Sequence, residues 1–252
     1  MGKVIAVTNQ KGGVGKTTTC INLAASLGAI KRNILLVDLD PQGNATIGSG
    51  IEKNESNHSV YDVLLNQVSI TNVIVNTQIG YDILSASAAL TAAEVKLLQK
   101  EKREFYLRHI LVSVRNNYDF IFIDCPPALN ILTINALVAA DSVLIPMQCE
   151  YYALEGLTGL LKTIKRLMCA VNSNLYIEGL LRTMYDGRNR LTIDVSEQLL
   201  KHFPDKVFNT IIPRNVRLAE APSHGLPALL YDKRSQGAVA YLALAAELVR
   251  RN

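Results

Sequence analysis

Short runs of β-branched and apolar residues recur along the chain, separated by longer stretches whose apolar positions repeat at helical spacing. The runs at residues 4–7, 34–38, 82–85, 120–124, 142–146, 177–184 and 207–212 predict strands. Several are apolar at nearly every position, as in strands covered on both faces of a parallel sheet. The helical patterns predict helices over residues 16–28, 91–116, 130–140, 154–172, 192–202 and 236–250. Strands alternating with helices imply βαβ units and right-handed crossovers. The expected fold is therefore α/β, a mostly parallel twisted sheet with helices on both faces. No Pro/Ser-rich linker, low-complexity tract or internal repeat interrupts the 252 residues, so one domain over residues 1–252 is expected.

Composition adds bounds to this picture. Hydrophobic residues make up 49% and charged residues 19%, enough apolar material for a sizeable core and the wrong balance for disorder. The formal net charge is only +4, but it is unevenly placed: residues 151–252 carry 14 Lys/Arg against 9 Asp/Glu. A basic second half suits a polyanionic partner, and a solvated charged surface explains it equally well. Cys20, Cys125, Cys149 and Cys169 show neither C-x-x-C spacing nor a nearby histidine, so buried free thiols in a reducing compartment are expected. The first predicted strand begins at once, leaving no room for a signal peptide. No apolar run approaches the ~18–20 residues that span a bilayer. A cytoplasmic protein is the expectation.

The chemistry starts with Gln10-Lys11-Gly12-Gly13-Val14-Gly15-Lys16-Thr17-Thr18, between the first strand and the first helix. That is the setting a phosphate-binding loop needs. Glycines let main-chain N–H groups turn toward phosphate oxygens, and the helix that follows adds its positive end. Lys16 supplies a point charge to the β- and γ-phosphates, and the Thr17 hydroxyl is a ligand for Mg²⁺. ATP and Mg²⁺ are the implied ligands, held by residues Lys11, Gly12, Gly13, Val14, Gly15, Lys16, Thr17 and Thr18. The second strand ends in Asp38-Leu39-Asp40-Pro41-Gln42-Gly43-Asn44, where ligands bind in parallel sheets. Asp38 and Asp40 there either face the phosphates or shape the next turn. The strand at residues 120–124 closes on Asp124, the Walker B form, whose acid holds Mg²⁺ through a water.

The strict G-x-x-x-x-G-K-[ST] pattern fails because Gln10 stands at its first position, and a second lysine, Lys11, precedes the glycines. Here the chain resembles the ParA/MinD/nitrogenase-iron-protein ATPases with their deviant Walker A loop. The segments Glu150-Tyr151-Tyr152-Ala153-Leu154-Glu155-Gly156-Leu157 and Ile211-Ile212-Pro213-Arg214-Asn215-Val216-Arg217-Leu218-Ala219-Glu220-Ala221-Pro222 resemble the ParA/Soj partitioning branch. The likeness runs from Lys3 to Arg251 and is least secure at Lys31-Arg32-Asn33, where the family usually has a glycine turn, and through residues 52–80.

The resemblance implies roles residue by residue. Lys11 reaches across a dimer interface to the other subunit's nucleotide, and either that or an ordinary solvated lysine fits the sequence. Asp40 is the catalytic aspartate that orients the attacking water, with Asp38 sharing this work or supporting the magnesium shell. Cys125-Pro126-Pro127 resembles the family's switch segment. Pro213 and Asn215 border the adenine, and Arg188 and Arg217 contact DNA unless they serve as surface or ion-pair arginines. The implied whole is an ATP-dependent homodimer that binds double-stranded DNA without sequence preference, associates with the nucleoid, and is released when a ParB-like partner stimulates hydrolysis. No cysteine matches the cluster positions of the iron proteins, so no iron–sulfur cluster is expected. The alternative is a MinD-like, ATP-gated positioning protein at a membrane or polar complex. Against it, the residues after 236 suit packing on the sheet and end without a basic, bulky-apolar tail.

Overall fold

All seven predicted strands are present, joined by one short strand the pattern did not disclose. The computed structural model describes residues 1–52 and 58–252, so residues 53–57 of the less secure 52–80 segment lie outside the described residues. In chain order the elements are β1 (Lys3–Val7), α1 (Lys16–Ala29), β2 (Ile34–Asp38), α2 (Asn44–Gly48), α3 (Val60–Leu64), β3 (Val75–Asn76), β4 (Asp82–Leu84), α4 (Leu90–Leu98), α5 (Tyr106–Val112) and β5 (Phe120–Asp124). They continue as α6 (Ile131–Ala139), β6 (Ser142–Gln148), α7 (Ala153–Ala170), β7 (Tyr176–Tyr185), α8 (Arg190–His202), β8 (Val207–Pro213), α9 (Val216–Glu220), α10 (Ala228–Tyr231) and α11 (Gln236–Arg251).

The strands form one sheet in the order β3-β4-β2-β5-β1-β6-β7-β8. Every pairing is parallel except that of β3 with β4. Alternation along the central strands builds two core layers. Val4 and Ala6 of β1, Leu35 and Val37 of β2, and Ile121 and Ile123 of β5 meet Leu132 and Leu137 of α6 and Leu160 and Ile164 of α7. Ile5, Leu36 and Phe122 point the other way, onto Leu23 and Leu27 of α1 and Tyr241, Leu244 and Leu248 of α11. Burial on both faces explains why these strands read as unbroken apolar runs. The packing of α11 matches its expected role as a sheet-covering helix. Among the described residues, no helix is long and apolar enough to cross a membrane.

Two expectations are corrected. The helix predicted over residues 91–116 is broken: α4 ends at Leu98, Lys102 adopts a left-handed backbone with φ 49°, and α5 starts at Tyr106. Neither Gly nor Pro marks this break. Its freed backbone groups are satisfied from outside, because buried Asn135 on α6 accepts from Leu107 N–H at 3.1 Å and donates to the Arg103 carbonyl at 2.8 Å. Arg103 also caps the Leu98 carbonyl at 2.8 Å. Of the four thiols, Cys20, Cys125 and Cys149 are buried, whereas Cys169 is exposed on the outer face of α7. At Lys31 the chain takes φ 63° without a glycine, so the turn between α1 and β2 keeps a left-handed residue at a lysine.

Candidate functional site

β1 lies between β5 and β6, and the chain leaves its C-terminal end into residues 8–15 before entering α1. Ligands bind at such a point in open α/β sheets, where successive connections diverge to either side. Gly13 and Gly15 hold φ 73° and 90°, values a side chain would strain. Among the described residues, the main-chain N–H groups of Gly12 through Thr18 have no protein acceptor. They lie at and just before the N-terminus of a 14-residue helix, where unsatisfied amides and the helix dipole favour anionic oxygen. The loop is tied to the sheet by Thr183 of β7, whose Oγ1 donates to the Val14 carbonyl at 2.8 Å. Lys16 is 7% exposed, and its Nζ donates to the Lys11 carbonyl at 3.2 Å. Burial lowers its pKa, opposed chiefly by Asp124.

Asp38 and Asp124 are register partners on adjacent strands, and both are fully buried. Thr17 Oγ1 donates to Asp124 Oδ2 at 2.8 Å, and the Cys20 thiol lies 3.5 Å from Oδ1. Asp38 is bound differently. Its Oδ2 accepts from both the N–H and the hydroxyl of Thr46 at 2.8 Å, and its Oδ1 accepts from Asp40 N–H at 3.1 Å. Thr46 Oγ1 in turn accepts from Ala86 N–H at 2.9 Å. Asp38 therefore holds the loop that carries Asp40, which is the turn-shaping alternative left open by the sequence. Desolvation pushes both buried carboxyls upward, and for Asp124 the charge of Asp38 adds to it.

These groups line two adjoining cavities. One, of about 660 Å³, is bounded by Gly12, Lys16, Thr17, Asp40, Glu94 and Pro126. The other, of about 430 Å³, is bounded by Thr18, Met184, Pro213, Asn215, Leu218 and Tyr241. Gly15, Thr18 and Met184 border both, so a polar compartment opens into a mainly apolar one. That division suits a polyphosphate joined to an aromatic base. The Asn215 side chain also caps α9 by accepting from Arg217 N–H at 3.1 Å.

The donor set at Thr17 and Asp124, a hydroxyl and a carboxylate, is hard oxygen of the kind magnesium takes. Burial and the charge of Asp38 disfavour the ionised form of Asp124, a penalty that a divalent cation beside it would offset, so the residues fit the metal. Among the described residues, no group of three or more His, Cys, Asp or Glu is placed to hold a metal ion by protein ligands alone.

The remaining candidates stand outside the cavities. Lys11 is half-exposed and ion-paired with Glu150 of its own chain. Arg188, in the turn after β7, grips Asp186 through Nε at 2.9 Å and Nη2 at 2.8 Å. Arg217, on α9 after β8, pairs with Glu220 at 2.8 Å and Asp232 at 3.4 Å. Both arginines are exposed at the C-terminal ends of neighbouring strands, each with an intramolecular carboxylate partner. Sequence reasoning missed Glu94, Thr183 and Met184 as site residues. Of these only Met184 leaves a local trace, a non-glycine residue at φ 48°, and that is visible in the fold alone.

Comparison with known proteins gives a consistent result. Residues 2–177 match a family model described as an AAA domain. The chain is 55% identical to the sporulation initiation inhibitor protein Soj of Bacillus subtilis, over 98% of each chain. It is 48% identical to the chromosome partitioning protein ParA of Caulobacter vibrioides, covering 99% of this chain and 94% of that one. Among solved structures it resembles a cobyrinic acid a,c-diamide synthase from Mycobacterium smegmatis with bound ATP analogue and magnesium, at 37% identity and a TM-score of 0.87, covering 99% and 95% of the two chains.

Proposed function

The chain belongs to the ParA/Soj family of partitioning ATPases, and from this we propose that residues 1–252 act as one nucleotide-gated DNA-binding switch. It is a P-loop ATPase that uses ATP and Mg²⁺. In this switch, ATP closes two copies face to face, the closed dimer holds double-stranded DNA on the nucleoid without regard to sequence, and a ParB-like partner stimulates the hydrolysis that releases it.

The observation that carries the proposal is the run of N–H groups without a protein acceptor among the described residues at Gly12 through Thr18, set beside buried Lys16 and the Thr17–Asp124 pair. The amides and Lys16 would bind the β- and γ-phosphates, with Pro213 and Asn215 beside the base. Magnesium held at Thr17, and through water at Asp124, would offset charge on the phosphate oxygens. Asp40, fixed by Asp38 on its loop, would orient the water that attacks the γ-phosphorus. Phosphoryl transfer is mainly positioning and charge stabilisation, so one oriented carboxylate in a preformed pocket is a sufficient minimum. Lys11 would leave Glu150 and complete the partner's site, as an arginine finger does in trans.

DNA binding would follow from summation. The affinity of phosphate contacts falls with salt at a slope of about −0.9 per neutralised phosphate, so two joined basic surfaces retain DNA that one cannot. Arg188 and Arg217 are the proposed contacts, each exchanging an intramolecular carboxylate for a phosphate. The test is co-sedimentation with non-specific DNA and with anionic liposomes, in ATP and in ADP. ATP-dependent retention on DNA that is lost at raised salt supports the proposal. Retention on liposomes alone would replace it with the membrane-positioning alternative.

A further inference from the structure

We propose that Glu94 is a positioning residue for ATP hydrolysis, acting through Asn130 on the segment that follows Asp124. The proposal rests on the ATPase reading and adds to it a residue that neither the loop motif nor the strand-end acids identify.

Glu94 stands on α4, whose Leu90, Ala93 and Leu97 are buried against the core, so the helix presents Glu94 from a fixed base. Its side chain borders the polar cavity together with Asp40, Pro126 and Asn130. Glu94 Oε1 accepts from Asn130 Nδ2 at 2.7 Å. The amide oxygen of Asn130 is already engaged, because Oδ1 accepts the N–H groups of Leu132 and Thr133 at 3.1 Å and so starts α6. One turn on, Thr133 Oγ1 donates to the Ala128 carbonyl at 2.6 Å. Residues 125–130 are thus held at one end by β5, which ends at Asp124, and at the other by an amide clamped between α4 and α6. Pro126 and Pro127, inside that span, form part of the wall of the cavity that Lys16 also lines.

The chemistry of the contact makes the claim specific. Asn130 has one amide to give, and α6 takes its oxygen, so the nitrogen is left to find an acceptor of the right length. Glu94 supplies it from a helix that otherwise has no bond to the segment. Among the described residues its second oxygen has no hydrogen-bond partner, and burial, followed by the charge of Asp40, raises the Glu94 pKa. Removing the acceptor frees the far end of the proline segment while leaving the amide cradle and the Thr17–Asp124 pair in place. Displacement of a reacting group by ~1 Å can cost ~10²-fold in rate without a matching loss of binding.

The experiment is single-turnover hydrolysis of ATP by the full chain, with ATP affinity and melting temperature measured in parallel, for E94A, E94Q, N130S and E94A/N130S. Serine keeps the cap on α6 but is too short to reach Glu94. If Glu94 works through Asn130, E94A and N130S each slow hydrolysis by about tenfold, ATP affinity stays within about twofold, and the double variant is no slower than either single one, as expected for one shared interaction. E94Q, which keeps the acceptor oxygen, stays within about threefold of the parent. Three outcomes would overturn the proposal. One is hydrolysis by E94A at the parental rate. Another is E94Q as slow as E94A beside a normal N130S, which would make the charge itself the agent. The last is loss of rate in E94A only in step with lost affinity and a lowered melting temperature. Absence of hydrolysis in the parent would instead defeat the ATPase reading.

Discussion

Lys11 and Glu150, 139 positions apart in sequence, are ion-paired within a single chain at the edge of the phosphate loop. A lysine proposed to serve the partner's nucleotide is therefore engaged at home, and closing the dimer must break two such pairs. Exposed pairs contribute ~0.2–1 kcal/mol each, so with two pairs E150Q should lower the protein concentration giving half-maximal ATPase activity by about 2- to 30-fold. A titration of activity against protein concentration measures this. A midpoint that stays in place removes Glu150 as a restraint.

Lys16 opens α1 within the loop, buried, and among the described residues it has no carboxylate in direct ion-pair contact. K16A should lose charge-assisted bonds to two phosphates, about 3 kcal/mol or more, and weaken ATP binding by at least about 100-fold. Titration with a fluorescent ATP analogue reads this directly. Tight binding by the variant would refute the loop assignment.

Asp40 touches the cavity but is not part of the cradle. D40A should bind ATP nearly as the parent does, lose about 10²–10⁴-fold in hydrolysis, and accumulate on DNA in ATP. Undiminished turnover would take the water-orienting role away from it.

The buried acids set a pH dependence in the nucleotide-free protein. Their carboxyls are pushed above the ordinary carboxylate range by burial and, for Asp124, by the neighbouring charge of Asp38. The folded state thus holds protons that the unfolded chain has already released, and stability falls as pH rises from that range toward neutrality. Each proton so held contributes a slope of up to about 1.4 kcal/mol per pH unit. Melting temperatures from pH 5 to pH 8 should decline, and D124N should flatten the decline. Added Mg²⁺ with ATP should reduce it as well, by favouring the ionised acid. A flat parental profile would show that the pair is not protonated.

Much of this architecture is legible in sequence because parallel strands buried on both faces carry a strong signal, and because the loop glycines have a mechanical reason to be there. Gly12, Gly13, Gly15, Lys16, Thr17, Thr18, Asp40, Pro213 and Asn215 border the two cavities, whereas Lys11 and Val14 of the same loop do not. What escapes is whatever depends on distant partners. The break after Leu98 has no Gly or Pro, since Asn135 of α6 satisfies its backbone from 28 and 32 residues away. Glu94 reads as an ordinary helix acid until Asn130, 36 residues on, is brought against it. Glu150 stands in a recognisable segment, yet its pairing with Lys11 arises only once β1 and β6 are neighbours. Asp38 and Asp40 look alike in the motif, and only the bonds to Thr46 separate an anchoring acid from one that borders the cavity.

The hydrogen bond from Thr183 to the Val14 carbonyl has a mechanical corollary. Five residues beyond Thr183 the same strand and its turn deliver Arg188 to the surface, with left-handed Met184 lying between the two compartments. The floor of the loop and an exposed guanidinium are thus the two ends of one six-residue stretch of chain, so a substitution that displaces Thr183 bears on both at once.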